Sequence, residues 1–221
     1  MDLLLSGGIV LLVIVLISIY AVYLFFTRLF KLSRERTDVT ALMTGVNTAV
    51  RERNLEEAMR LTKEFEGPVG RVLHKALKRI PYGRPAVEAA FQEGLIEEEQ
   101  NLSTGLRPLS TIAQIGPLLG LLGTVTGMII AFGELARLNI GNPEALAGGI
   151  GQALVTTAAG LILAIPALIG HNYLSSRVDK MLTEVERRRE ELMGNVVQVV
   201  LDRRDEKQRS APVIRAESAA G

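Results

Sequence analysis

The sequence predicts an all-α integral membrane protein: three transmembrane helices, N-terminus out and C-terminus in, with long helical cytoplasmic extensions; the family resemblance described below adds assembly as a ring. Three observations carry this. Stretches at about 8–26, 112–136 and 147–168 approach the ~20 apolar residues a helix needs to cross the hydrocarbon core. The two later stretches are striped with glycine, alanine and threonine and hold no charge across their apolar centres. The basic residues are segregated: none precedes Arg28, fourteen run from Arg28 to Arg107, one (Arg137) lies between the later stretches, and ten follow from Arg177. A net charge of +1 over 221 residues conceals that asymmetry, which sets orientation because short loops rich in Lys and Arg stay cytoplasmic.

Residues 1–30 are expected to hold the first transmembrane helix. The stretch lacks a basic leader and a small-x-small cleavage site and is too long for a signal-peptide core, so it reads as a retained anchor. Arg28, Lys31, Arg34 and Arg36 close it on the cytoplasmic side and leave its N-terminus periplasmic.

Residues 31–107 read as a helical cytoplasmic domain. Val39, Leu42, Met43, Val46 and Val50 recur at helical spacing after a candidate N-cap, Asp38. Leu55, Ala58, Met59 and Leu61 mark a second short helix, Gly67-Pro68 breaks it, and Val69 to Ile80 mark a third. Residues 81–85, Pro-Tyr-Gly-Arg-Pro, form a turn, and the helix from Ala86 is expected to run on into the second span. Glu97, Glu98 and Glu99 read as a solvated helix face, and His74 as a surface residue.

The second transmembrane helix is expected over 108–136, a short periplasmic loop over 137–146, and the third transmembrane helix over 147–172. A cytoplasmic helix follows over 173–203, its charges set at helical spacing, and then a disordered tail over 204–221. With no cysteine there are neither disulfides nor thiolate metal sites. No nucleophile–base set, phosphate loop or metal-ligand cluster stands out, so neither enzyme, cofactor, metal nor nucleic-acid chemistry is expected.

In the second span Gly116, Gly120, Gly123 and Gly127 fall on one face, and in the third Gly160 and Ala164 belong to an equivalent narrow stripe. Such stripes let helices approach closely where lipid supplies no hydrophobic drive. Pro117 and Pro166 kink their helices without ending them. Thr124 edges the first stripe; Thr157 lies in the second, with Thr156 and Gln152 one position around. Each threonine has two readings, a hydroxyl bonded back to its own helix or one lining an ion path. Gln152 likewise is either interhelical glue or part of a hydrated path.

Proton transport needs a group that changes charge, and neither span holds one at mid-depth. Glu134 lies near the outer end of the second span and His171 near the inner end of the third. Threonine and glutamine orient water or a carboxyl group but do not titrate near neutral pH. If protons cross here, the carboxylate comes from another chain.

The run Gly116-Pro117-Leu118-Leu119-Gly120-Leu121-Leu122-Gly123-Thr124-Val125-Thr126-Gly127-Met128 resembles the second-span signature of the ExbB/TolQ/MotA family of proton-channel motor stators. The run from Gly149 through Gln152, Thr156, Thr157 and Gly160 to Ala167 resembles its third-span signature. Three spans favour the ExbB/TolQ-like branch. The resemblance implies a homopentamer in the bacterial inner membrane around a two-copy, single-span partner similar to ExbD or TolR. One Asp in that partner's membrane helix takes up and releases protons. It also implies that Thr124 and Thr157 face that Asp, with Gln152 standing where ExbB and TolQ commonly carry Glu. The implied function is a stator or channel subunit that couples proton flow to work on the cell envelope, as in TonB- or Tol-type energisation or gliding. Two other readings stay open, a non-conducting membrane scaffold and a sodium-driven stator.

Overall fold

Gly105 divides what the sequence reads as one continuous helix. In the computed structural model, which describes residues 8–35, 39–138 and 143–210, one helix ends at Ser103 and the next begins at Leu106. Gly105 has a φ of +81°, a left-handed conformation that glycine adopts without penalty. A Cβ at this position would collide with the guanidinium of Arg28. The expected run-on is therefore corrected to a break, imposed by backbone conformation and by a close-packed side chain.

The described elements are α1 (Gly8–Arg34), α2 (Val39–Arg51), α3 (Leu55–Glu64), α4 (Pro68–Leu77), a 3-10 turn (Ile80–Tyr82), α5 (Arg84–Ser103), α6 (Leu106–Leu138) and α7 (Pro143–Ser210). They divide into two compact units, residues 1–33 with 103–178, and residues 34–102 with 179–221. The first unit carries three helical segments long and apolar enough to cross a membrane: Gly8–Arg34, Leu106–Gly133 and a third within Leu146–Gly194. Large apolar side chains such as Ile9, Leu118, Ile129, Leu154 and Ile162 lie exposed along all three, as a lipid-facing surface requires.

The second unit gathers short helices around a core of its own. Asn54 caps α3, its side chain accepting from the Glu57 amide at 3.1 Å. Pro68 opens α4, where its missing N–H costs nothing. Leu42, Met43, Val46 and Val50 of α2, Val72, Leu73 and Leu77 of α4, and Phe91 of α5 share one core with Val185 and Leu192 of α7. At the turn Gly83 has a φ of +88°, and α5 begins at Arg84, ahead of the expected Ala86.

Two side chains expected on the surface are held in this unit. Glu98 is buried, and Arg71 grips it with Nε at 2.8 Å and NH2 at 2.7 Å, so only part of the acidic run is a solvated face. His74 is half-buried, its Nδ1 3.2 Å from the Met59 carbonyl and 3.1 Å from the Thr62 hydroxyl. A carbonyl only accepts, so Nδ1 carries the proton.

Burial, followed by the positive charge of Lys78, lowers the His74 pKa from its ordinary 6.5, against a smaller opposing effect of the Met59 bond. As pH falls the unfolded chain takes up this proton before the folded one does. Stability present above 6.5 is thus lost as pH drops through 6.5 toward the folded pKa. Thermal midpoints of the intact protein should fall between about pH 7 and 5, and His74→Gln should remove that part of the slope.

Other boundaries shift outward. α6 runs to Leu138 and α7 opens at Pro143, which shortens the loop expected over 137–146; residues 139–142 lie outside the described residues. α7 is one helix through the expected junction at 172–173 and on to Ser210, so the first part of the tail expected from 204 is helical. The rest of that tail, 211–221, and the candidate cap Asp38 lie outside the described residues.

Candidate functional site

The seam between α6 and α7 is a glycine-to-backbone contact repeated over several turns. A Cβ on Gly116 would lie 3.0 Å from the Gly160 carbonyl, and one on Gly120 would lie 3.0 Å from Thr157 Cα. A Cβ on Gly160 would stand 2.5 Å from the Gly116 carbonyl and 3.0 Å from Gly120 Cα. Further along, Gly127 faces Ala153, and Gly116 also meets Ala164. Gly116, Gly120, Gly123, Gly127, Gly160 and Ala164 thus join two helices of the same chain. Pro117 and Pro166 lie inside the continuous α6 and α7.

The hydroxyls sit differently from one another. Thr157 donates across the seam to the Gly120 carbonyl at 3.2 Å, a bond available only because Gly120 brings the backbones together. Thr124 is half-buried and donates to the Leu121 carbonyl of its own helix at 2.6 Å. Each hydroxyl keeps acceptor lone pairs after donating, so both can receive a proton-bearing group from outside. Thr124 also borders a shallow apolar depression with Val125, Met128, Ile129 and Phe132.

Two further members of the expected pore-lining set, Thr156 and Gln152, meet other parts of this chain. Thr156 is buried, donates to the Ala153 carbonyl at 2.8 Å, and fills the space that a side chain on Gly123 would need. It lies inside the helix pair because α7 presents successive residues about 100° apart, and Thr156 takes the inward position. Gln152 is half-buried, and a Cβ on Gly8 would lie 2.9 Å from its Nε2. Its amide therefore rests against the start of α1.

Sequence reading passed over the other end of the seam. Ser103, Arg107, Ser110 and Thr111 combine with His171 and Ser175 of α7 around a pocket of about 410 Å³. The His171 Nδ1 lies 3.2 Å from the Leu106 carbonyl. The available signal was the spacing of Ser110 from Thr124 and of His171 from Thr157, two heptads in each case. A separate, apolar groove of about 650 Å³ lies between α1, α6 and α7, lined by Phe25, Leu109, Pro166 and Tyr173 among others.

Three membrane-length helices, two of them closely packed with hydroxyls in the seam, define a multi-pass α-helical membrane protein built around that pair. The model of the MotA/TolQ/ExbB proton channel family matches residues 64–187, and the chain belongs to that family. It is 32% identical over 182 residues to a biopolymer transport protein ExbB homolog of Methanothermobacter thermautotrophicus, covering 82% of this chain and 64% of that protein's length. It is 35% identical over 173 residues to biopolymer transport protein exbB1 of Vibrio cholerae, 76% of each chain. A shorter match, 36% over 96 residues, links it to the Tol-Pal system protein TolQ of Pseudomonas aeruginosa, covering 43% of this chain and 42% of TolQ. The family is one of proton channels.

Proposed function

We propose that this chain is the ring-forming subunit of a proton-motive-force-driven motor in a bacterial inner membrane. Five copies surround an ExbD/TolR-like partner whose single membrane helix carries an Asp, and proton flow through that Asp drives work on the cell envelope. The observation that carries this reading is the Thr157–Gly120 bond with Thr124 on the neighbouring turn. Together they supply two hydroxyls in an uncharged seam, able to accept from a protonated carboxyl or its water. The basic flanks support an N-terminus outside and most of the extramembrane mass in the cytoplasm.

The seam is half of a proton path, because a hydroxyl does not titrate near neutral pH. Thr157→Ala removes one hydrogen-bonding partner of the travelling carboxyl, worth about tenfold in rate for a bond of roughly 1.4 kcal/mol. In vesicles holding the complex as purified with its partner, proton flux after a pH step should fall about that much, and Thr157→Ser should restore it. Full flux in both Thr124→Ala and Thr157→Ala would sink the hydroxyl role. A complex with no flux of its own fits a scaffold, and flux that follows sodium instead of pH fits the sodium-driven alternative.

A further inference from the structure

We propose that the apolar groove between α1, α6 and α7 seats an acyl chain of an inner-leaflet phospholipid, whose anionic headgroup is held by Arg177 and Arg28. The leaflet follows from the orientation that the basic flanks support, and nothing in the site depends on proton flux.

The groove is shaped by small residues. Ala21 of α1 and Ala167 of α7 are buried in its lining, and Gly170 admits the Phe25 ring, since a Cβ there would lie 2.8 Å from Phe25 Cδ2. Val22, Phe26, Ile162, Ile169 and Tyr173 line it as well and stay exposed. Apart from Ser18 and the Tyr173 hydroxyl the lining side chains are hydrocarbon, around a volume of about 650 Å³. A polar ligand finds almost no partners there. A fatty chain regains the dispersion contacts that an empty groove forfeits.

Length decides between occupants. The lining runs from Ser18 to Phe26 on α1 and from Ile162 to Tyr173 on α7, about 12 and 16 Å of helix at 1.5 Å per residue. Half of a hydrocarbon core ~30 Å thick is ~15 Å, the depth of one leaflet. A membrane-crossing helix of a second copy would need a groove along the whole core. This one stops near mid-span.

Charge marks the end where the headgroup sits. The Arg177 guanidinium lies 5.5 Å from the ring centre of Tyr173, itself a lining residue. Arg28 follows Phe25 by three residues on α1 and packs against Gly105, one turn before the lining residue Leu109. A guanidinium presents a planar fork of donors that matches phosphate oxygens. No Asp or Glu occurs in residues 8–33, 103–133 or 145–178, so no carboxylate of these stretches competes for either arginine. Tyr173 stands at the level where aromatic side chains gather at a membrane interface.

The test uses the full chain with its co-purified partner. After delipidation in mild detergent, native mass spectrometry follows the binding of phosphatidylglycerol and of phosphatidylcholine with the same tails. Phosphatidylglycerol should bind more tightly, and Arg177→Gln should narrow that preference about fivefold, the worth of one arginine near an anionic surface. In vesicles, phosphatidylglycerol with a photoreactive tail should label residues 18–26 and 162–173. Ile169→Trp and Val22→Trp fill the groove from exposed positions on different helices, and each should remove that labelling while the complex still assembles. Labelling that survives both tryptophans, or that falls only elsewhere, overturns the site. Equal binding of the two lipids overturns the headgroup recognition. A photoreactive side chain in place of Ile169 should capture lipid; capture of a second copy of the chain shows protein seated in the groove and overturns the proposal. None of these measurements reads proton flux, so their failure leaves the channel reading standing.

Discussion

Gly160→Val is expected to abolish recovery of the assembled protein. The first added carbon would stand 2.5 Å from the Gly116 carbonyl and 3.0 Å from both Cα and N of Gly120, all backbone atoms of the partner helix. No rotamer relieves a clash at Cβ, so α6 and α7 must separate. Overpacking of this kind costs about 1–3 kcal/mol, and a rigid backbone on the other side favours the upper end. Separation also breaks the Thr157–Gly120 bond, coupling the packing loss to the candidate site. Size-exclusion chromatography in detergent should show little monodisperse protein for this variant, and Gly160→Ala should be intermediate. Gly151→Ala is the control: no atom lies within 4 Å of its ideal Cβ, and normal recovery is expected.

The second large effect lies in the unit formed by residues 34–102 and 179–221. Arg71→Met leaves the Glu98 carboxylate buried with its two charge-assisted bonds removed. Breaking a buried pair this way costs about 3–5 kcal/mol when both partners are dry. The Glu98 side chain is 7% exposed but that of Arg71 is 47%, so solvent screening reduces the expected cost to about 2 kcal/mol. A fall in thermal midpoint should report it. The double variant Arg71→Met with Glu98→Leu should recover part of the loss, because the Glu98 charge is gone while Glu35, 3.4 Å from Arg71 and 13% exposed, still loses its partner. A double variant as unstable as the single would show that packing or the Glu35 carboxylate, and not that of Glu98, sets the cost.

Both predictions concern residues whose importance is unevenly visible in the chain. The spacing of Gly116, Gly120, Gly123 and Gly127 marks a close-packing face, because helical periodicity alone brings them together. The partner of that face is invisible to periodicity: the same stripe serves a neighbouring subunit or another helix of the same chain. Glu98 shows the opposite limit. Three consecutive glutamates read as solvated because charge normally stays in water, and only Arg71, distant in sequence, makes burial of the middle one affordable.

Thr156 and Thr157 show how fine the limit is. They are adjacent and chemically identical, and composition places both in a polar seam. One faces inward beneath Gly123; the other crosses to the Gly120 carbonyl.

By itself the sequence determined three membrane-length helices, the amphipathic core positions of the short helices between residues 39 and 80, and the family motifs around Thr124 and Thr157. These are local properties, set by run length, periodicity and the lack of charge in a low-dielectric layer. The tertiary structure alone decided the break at Gly105, the burial of Glu98, the placement of Gln152 against α1, and the pocket joining Ser110 and Thr111 to His171. Each depends on which distant segment approaches, and at ångström separations a backbone dihedral or a missing Cβ outweighs any local preference.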